Sequence, residues 1–388
     1  MKFMYVILSF IMLISACNSN CVAPSSPAPD KDEEQSSDVN IGSIVDLVLI
    51  YGGSAHRNVI WNADHFTPYV SYINRTNQEH WLFDGFLLLD YIDGKGKIFA
   101  TGYYGTPATK NEWDALIDYF FTPGQSVDAL NKCIEDDISR LGNPPYKRKV
   151  IIVLPEPIVA GPGSDYKDTP ADYWGTLDNR KLNFTNQEDR IAACNYYIDR
   201  VKSKFNEGKF RNLELAGFYW LAEESLHTKS ILLPVSEHLT DEGFDFYWIP
   251  YWKTNPDYLQ WEELGFNAVY LQPNYFFNAQ VPYSRLENAC KVAIDYNLDL
   301  EMEFDLTVLV NNGNLSTRLY DYMRAFRENG ILPEKRIAYY QDCDAVYQLY
   351  RSSDERDKVI FYDFCDFVLE HQTAYIKNKQ ESLKSDNE

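Results

Sequence analysis

The sequence predicts an α/β protein folded as a (β/α)8 TIM barrel, a single domain with long loops after its second and third strands. Eight apolar runs, most of them about five residues long, alternate with longer amphipathic segments. Because β-branched and aromatic residues dominate these runs, they favour strands that are buried in a parallel sheet. The predicted strands are residues 47–51, 86–90, 150–154, 215–220, 245–249, 267–272, 298–303 and 336–340.

The segments between the runs have the features of helices. Residues 186–205 carry apolar side chains at helical spacing, which predicts an amphipathic helix. Ser284 and Glu287 form a capping-box pattern ahead of another apolar stretch. Gly265 and Gly330 stand where a helix would end and the next strand would begin. The order strand, helix, glycine, strand is typical of right-handed βα units.

The second and third βα units are longer than the later ones. Their extra residues lie in the loops 91–113 and 156–174, which are rich in Gly, Pro and Tyr. In a barrel such loops build the mouth of the active site. The alternative is an open doubly wound sheet, which requires a glycine-rich phosphate loop after the first strand. Residues 52–54 (GGS) are a weak substitute for that loop, so the pattern favours the barrel.

Composition and charge limit the possible partners. The chain has 388 residues, of which 45% are hydrophobic and 24% charged, as in soluble globular proteins. A formal net charge of −21 disfavours nucleic acid as a partner. An aromatic content of 15% suits sugars, because their apolar faces stack on aromatic rings. Neither the 7 Cys nor the 6 His follow metal-ligand spacing, so the sequence predicts no metal site and no cofactor.

The first forty residues predict a location outside the cytoplasm. Residues 1–16 combine Lys2 with an apolar run that is short for a bilayer span, which is typical of a signal peptide. The sequence ending at Cys17 resembles a bacterial lipoprotein cleavage box, which implies that Cys17 is acylated. A plain secretory signal is the alternative. Residues 17–40 are rich in Ser, Pro and acids and predict a lipidated, flexible tether ahead of a barrel domain at 41–388.

This segment predicts a lipoprotein of the bacterial cell envelope. Asn18 after Cys17 resembles the sorting pattern of the outer membrane, so the barrel would be periplasmic or surface-exposed. The lipid anchor would then be the only contact with the membrane. The oligomeric state stays open.

Polar and aromatic residues collect at the carboxyl ends of the predicted strands. In a (β/α)8 barrel these ends form the face that carries the chemistry. We therefore predict a carbohydrate-binding mouth there, in which about half of the aromatic residues belong to the core instead. The candidate substrate-binding residues are Tyr51, His56, Arg57, Asp90, Glu156, Trp220, Trp248, Tyr251, Trp252, Gln272, Asn274, Tyr275 and Glu301.

The seventh strand carries several acids on one face. Side chains alternate between the faces of a strand, so Asp299, Glu301, Glu303 and Asp305 should all point into the barrel lumen. Buried carboxylates are costly unless they have partners or a function. We predict that Glu303, nearest the rim, is catalytic. Glu301 either binds substrate or pairs with a buried Arg or Tyr.

The fourth strand supplies a second carboxylate, either Glu223 or Glu224. Only one of them should face the lumen, and the alternative is that both begin the next helix. Two carboxylates flanking one site are what cleavage of a glycosidic bond requires. The sequence therefore predicts a glycoside hydrolase acting on an extracellular glycan. The alternative is a surface lipoprotein that binds glycan without cutting it.

The positions of these acids resemble those of the retaining glycosidases with a (β/α)8 barrel. The resemblance implies that Glu223, after strand four, is the acid/base and that Glu303, at the end of strand seven, is the nucleophile. In that superfamily an Asn usually precedes the acid/base, whereas this chain has Ala222, which leaves Glu223 and Glu224 both open.

A second resemblance spans nearly the whole chain. The stretches LIYGGSAHRNVIW, FDGFLLLDY, GFYWLAEES and FDFYWIPYW are similar to the bacterial family named domain of unknown function 4855. This resemblance implies a glycosidase-like barrel and no settled substrate.

Overall fold

Eight parallel strands close into a barrel in which each strand pairs with its neighbours along the chain and the last strand pairs with the first. The predicted (β/α)8 TIM barrel is therefore confirmed, and all eight predicted runs lie at strands. The barrel strands are β1 (Asp46–Tyr51), β2 (Gly85–Leu89), β3 (Arg148–Leu154), β4 (Leu213–Trp220), β5 (Asp245–Trp248), β6 (Ala268–Leu271), β7 (Asp299–Glu303) and β8 (Ile337–Tyr340).

This structure is a computed structural model that describes residues 44–52, 57, 59–252 and 256–385. The predicted signal peptide, the lipidation site Cys17, the tether and the candidate binding residue His56 lie outside the described residues. Among the described helices, none has the length and apolarity that a bilayer crossing demands.

Helices separate the strands and bury apolar faces against the barrel. The predicted helix at 186–205 is present and begins after Asn186, whose side chain accepts a hydrogen bond from the backbone of Glu188. The described helices are α1 (Ala63–Val70), α2 (Lys110–Phe120), α3 (Ser126–Leu141), α4 (Gln187–Gly208), α5 (Lys229–Asp241), α6 (Ser284–Asp295), α7 (Ser316–Glu328), α8 (Ile331–Glu334), α9 (Ala345–Arg351) and α10 (Glu355–Ser385).

The predicted capping box on α6 is wrong. Ser284 is the first residue of that helix, and the N-cap position is Tyr283, which makes no side-chain cap hydrogen bond. The helix is held instead by its buried apolar face, which includes Leu286 and Cys290. Packing of an amphipathic face commonly outweighs the contribution of a cap.

The two long loops lie after β2 and β3, as predicted, and they are joined to each other. Thr101, in the loop after β2, donates hydrogen bonds from its backbone N (2.7 Å) and Oγ1 (2.8 Å) to Oε2 of Glu156, directly after β3. The backbone N of Glu156 also donates to the carbonyl oxygen of Phe99 (2.8 Å). These bonds fix the loop after β2 over one side of the barrel mouth.

Buried acids at the amino-terminal end of the barrel have close partners. Oδ1 of Asp46 lies 2.7 Å from Nδ1 of His371 and accepts a hydrogen bond from the hydroxyl of Tyr339 at 2.6 Å. Asp299 accepts hydrogen bonds from the backbone N and Nε of Arg336, both at 2.8 Å, and forms an ion pair with its Nη2. Each charge is therefore compensated where it is buried.

Candidate active site

A cavity of about 250 Å³ opens at the carboxyl ends of the strands. We call it the mouth cavity. Its walls combine acids, amides and tyrosines, the chemistry expected of a site that binds a polyhydroxylated ligand. The lining residues are Leu49, Tyr51, Arg57, Tyr91, Tyr103, Tyr219, Leu221, Glu223, Ile249, Tyr251, Gln272, Asn274, Phe277, Glu301, Glu303 and Tyr340.

The alternation of side chains along each strand selects which residues reach the mouth cavity. Every second residue lines it, and this pattern continues for a few residues beyond the end of each strand. The sets are Leu49 and Tyr51 on β1, Tyr219, Leu221 and Glu223 on β4, Ile249 and Tyr251 after β5, Gln272 and Asn274 after β6, and Glu301 and Glu303 on β7.

Glu303 is held in a fixed orientation by two donors. Its Oε2 accepts hydrogen bonds from the backbone N of Asn274 (2.6 Å) and the hydroxyl of Tyr322 (2.5 Å). Burial raises the pKa of Glu303 to about 7, although these donors favour its charged form and the charge of Glu223 adds to the increase. Glu303 therefore titrates near neutrality instead of near pH 4.

Glu301 lies two residues earlier on the same face of β7 and is only 2% exposed. Within the described part of the chain no hydrogen-bond donor contacts its carboxylate, in contrast to Glu303. Burial, followed by the charges of Glu303 and Glu223, raises its pKa well above the usual value. Of the two acids on β7 that line the mouth cavity, Glu303 is therefore the one whose charge described donors stabilise.

Glu223 stands on the opposite side of the mouth cavity, three residues after β4. The side chains of Gln272 and Tyr103 are its polar neighbours and favour its charged form. Burial raises its pKa, and the charge of Glu224 adds to this increase, whereas Gln272 and Tyr103 oppose it. Neither glutamate begins a helix, because α5 starts only at Lys229.

Glu224 is exposed and points away from the mouth cavity. The adjacent pair is thus divided between two environments, as period-two alternation requires. The structure places Glu223, Glu301 and Glu303 around one cavity and leaves Glu224 at its outer side.

Arg57 is part of the wall and is itself surrounded by acids and rings. It lies 3.5 Å from Oδ1 of Asp90 and 3.2 Å from Oδ1 of Asp342. Its guanidinium sits 4.0 Å from the ring centre of Tyr51 and 4.8 Å from that of Tyr91. This arrangement locks the cation into the rim of the mouth cavity.

Two predicted binding residues support the site from behind without lining the mouth cavity. Asp90 is fully buried and positions Arg57. Glu156 is 1% exposed and anchors the loop after β2 through Thr101. Both residues directly follow a strand, but their side chains contact Arg57 and Thr101 and do not line the mouth cavity.

Four predicted aromatic residues also lie away from the mouth cavity. Trp220 and Trp248 occupy the alternate positions of β4 and β5, so they point outward and pack on Phe246 and Phe266. Tyr275 is buried, and its hydroxyl donates to Asp321 of α7. Trp252 lies beside Arg285 of α6, 5.6 Å from the guanidinium carbon to its ring centre.

The sequence reasoning missed several aromatic residues of the mouth cavity. Strict alternation would have predicted Tyr219, because it shares a face with Glu223. The rule that strand ends form the site would have predicted Tyr340, which lies at the end of β8. Tyr91 and Tyr103 stack on each other with ring centres 4.2 Å apart, and this arrangement of two residues within one loop has no signal in the sequence. Phe277 is 45% exposed at the rim.

Among residues 44–52, 57, 59–252 and 256–385, no group of three or more His, Cys, Asp or Glu residues is arranged to hold a metal ion.

The family model named Domain of unknown function (DUF4855) matches residues 46–366. The chain therefore belongs to this family, and the prediction of the family is confirmed. No curated protein matches the chain.

Several solved structures are similar at low identity. The GH18 chitinase ChiB of Flavobacterium johnsoniae is 10% identical, with 83% of this chain and 94% of that chain covered and a TM-score of 0.41. A candidate alpha-L-fucosidase of Bacteroides thetaiotaomicron is 13% identical, with 87% and 99% covered and a TM-score of 0.39. A tryptophan synthase alpha-subunit from Pyrococcus furiosus is 8% identical, with 84% and 97% covered and a TM-score of 0.34. These chains have different activities, and we transfer none of them.

Proposed function

We propose that this protein is a glycoside hydrolase that cleaves an extracellular glycan with retention of configuration. The observation that carries the proposal is the position of Glu223 and Glu303. They come from β4 and β7, about eighty residues apart, and they line the same cavity. A pair of carboxylates facing one site is the minimum that hydrolysis of a glycosidic bond requires.

Glu303 is the proposed nucleophile. Its carboxylate attacks the anomeric carbon, the bond to the departing oxygen breaks, and an ester between sugar and Glu303 forms. The donors Asn274 and Tyr322 both bind Oε2, so they hold the carboxylate in one orientation during the attack. A fixed nucleophile reduces the entropy that must be lost in the transition state.

Glu223 is the proposed acid/base. It donates its proton to the departing oxygen, then takes a proton from the water that attacks the ester, which releases the sugar and restores both acids. A raised pKa suits a group that must hold a proton near neutral pH. Its polar neighbours Gln272 and Tyr103 line the same cavity.

The mouth cavity favours a neutral sugar. Arg57 is the one cation among the described lining residues, and it already contacts two acids, so a sulfated sugar or a uronic acid would gain little from pairing with it. A volume of about 250 Å³ lies below the usual range of about 300–1,000 Å³ for ligand pockets, which is consistent with one sugar ring.

The proposed location of the protein is the bacterial outer membrane, with the predicted lipid at Cys17 as the anchor.

The experiment is a screen of the purified protein against a panel of neutral oligosaccharides and glycosyl fluorides. On the substrate that is found, Glu303→Gln should lower kcat by at least about 10³-fold, because the amide cannot act as a nucleophile. Glu287→Gln, on the exposed face of α6, is the matched control and should keep full activity.

Two further variants separate the candidate acids. Glu223→Gln should abolish cleavage of oligosaccharides but spare kcat/KM on glycosyl fluorides, because fluoride leaves without a proton. Its kcat on fluorides should fall, because Glu223 also activates the water that hydrolyses the ester. Glu224→Gln should lose far less of its activity on oligosaccharides. Undiminished turnover by Glu303→Gln would contradict the proposal, and glycan binding without any turnover by the wild type would indicate the non-catalytic alternative.

A further inference from the structure

A second cavity of about 280 Å³ lies beside the mouth cavity and shares part of its wall. The two residues common to both are Tyr103 and Glu223. The remaining wall of this second cavity comes from the loops after β2, β3 and β4 and includes Asp165, Tyr166, Glu224, Leu226 and His227.

A third cavity of about 190 Å³ continues the second one along the loop after β3. The second and third cavities share Thr101, Asp165, Tyr166 and His227. The three cavities therefore form one continuous series that begins at Glu303 and runs outward past Glu223.

We propose that the second and third cavities bind the leaving part of an oligosaccharide, so that the bond cleaved lies between the first two cavities. This inference rests on the proposed function. An acid that protonates the departing oxygen must stand between the sugar being attacked and the sugar that leaves. Among the acids of the mouth cavity, Glu223 alone also borders the second cavity, whereas Glu301 and Glu303 border only the first.

The walls of the second cavity fit a sugar that is neutral or basic. Tyr166 offers an aromatic ring, and Leu226, 63% exposed, offers an apolar surface of the kind that the face of a sugar covers. Asp165, Glu224 and His227 provide groups that can hydrogen bond hydroxyls. The two acids would repel a sulfate or a uronic acid at this position.

The loop that carries Tyr166 is held in place by its own hydrogen bonds. The carbonyl oxygen of Tyr166 accepts from the backbone N of Gly161 (3.2 Å) and of Thr169 (3.0 Å), and its backbone N donates to Oγ of Ser164 (3.1 Å). None of these bonds uses the phenol ring. A preformed wall binds a glycan with less loss of entropy than a loop that must first become ordered.

The test compares two substrates of the same terminal sugar. The first is the oligosaccharide found in the screen, which would fill all three cavities, and the second is the glycosyl fluoride, whose leaving group is too small to occupy the second cavity. Tyr166→Ala should lower kcat/KM on the oligosaccharide about tenfold and leave the fluoride within about twofold. Tyr104→Ala is the matched control, because Tyr104 is fully exposed and borders none of the three cavities.

The possible outcomes separate this inference from the proposed function. Equal losses on both substrates, or no loss on the oligosaccharide, would overturn the inference while the hydrolase proposal stands. A wild type that hydrolyses neither substrate would contradict the proposed function, and the assignment of a leaving part would fail with it.

Discussion

Both ends of the barrel bury carboxylates, but the contacts of these carboxylates differ between the two ends. At the amino-terminal end Asp46 contacts His371 and Tyr339, and Asp299 is paired with Arg336. At the carboxyl end, within the described residues, Glu301 has no hydrogen-bond donor, although it lies on the same strand and face as Asp299.

We propose that this difference separates acids that stabilise the fold from acids that act on a ligand. A buried charge without a partner costs free energy, so a fold tolerates it only where something else requires it. Strand β7 shows both cases within five residues, with Asp299 paired at its start and Glu303 oriented at its end. The kind of partner, a cation for Asp299 and neutral donors for Glu303, differs between the two acids, whereas both are buried.

The largest expected effect is at the paired end. Asp299→Asn should lower the free energy of unfolding by about 3 kcal/mol, because Arg336 would keep a largely buried charge without its counter-charge. Chemical denaturation at neutral pH, followed by circular dichroism, measures this loss. A change below about 0.5 kcal/mol would mean that the ion pair contributes nothing and would remove the contrast between the two ends.

Glu301→Gln, two residues along the same face, should have the opposite sign. A carboxyl whose pKa is higher in the folded state than its ordinary value of 4.5 contributes stability below that value, and this stability is lost as the pH rises through the folded pKa. The wild type therefore loses stability towards alkaline pH, and the glutamine variant does not.

Denaturation at pH 5 and pH 8 checks this prediction. At pH 8 the variant should be about 1–2 kcal/mol more stable than the wild type, and at pH 5 the difference should be small. Asp299→Asn serves as the control on the same strand. If Glu301→Gln is instead destabilising at pH 8, Glu301 has a structural partner and belongs with the acids of the opposite end.

The sequence predicts the barrel well because the pattern that indicates a βα unit repeats along the chain. Eight apolar runs with polar ends define the strands and the face that carries the polar residues, and alternation along β7 identifies Glu301 and Glu303. Applied as strictly to β4 and β5, the same rule selects Glu223 over Glu224 and assigns Trp220 and Trp248 to the outer face. The sequence reasoning did not apply it there and placed both tryptophans at the mouth.

The remaining part of the site could not be read from the sequence because it depends on contacts between distant segments. Tyr103 lines the same cavity as Glu223, and the loop that carries it is held through Thr101, which is bound to Glu156 after another strand. Tyr322 comes from α7, outside the strands altogether, yet it binds Glu303. Neither contact follows from periodicity or residue spacing.

The smallest effect concerns Tyr322 and sharpens the account of Glu303. The hydroxyl of Tyr322 stabilises the charged form of Glu303, so Tyr322→Phe should raise the pKa of Glu303 above its value of about 7. A nucleophile must be ionised, so kcat/KM falls as the pH drops through this pKa. The acidic limb of the pH profile should therefore move to higher pH by about one unit, since one hydrogen bond to a charge contributes about 1.5 kcal/mol.

Tyr275→Phe is the matched control for this shift. Its hydroxyl also donates to a carboxylate, but the acceptor is Asp321 on α7, away from the mouth cavity. The control should leave the acidic limb in place, even if it reduces stability as much as Tyr322→Phe does. If both variants move the limb equally, the shift reflects a general loosening of the contact with α7. If neither moves it, the acidic limb does not report the ionisation of Glu303, and the nucleophile must be sought elsewhere.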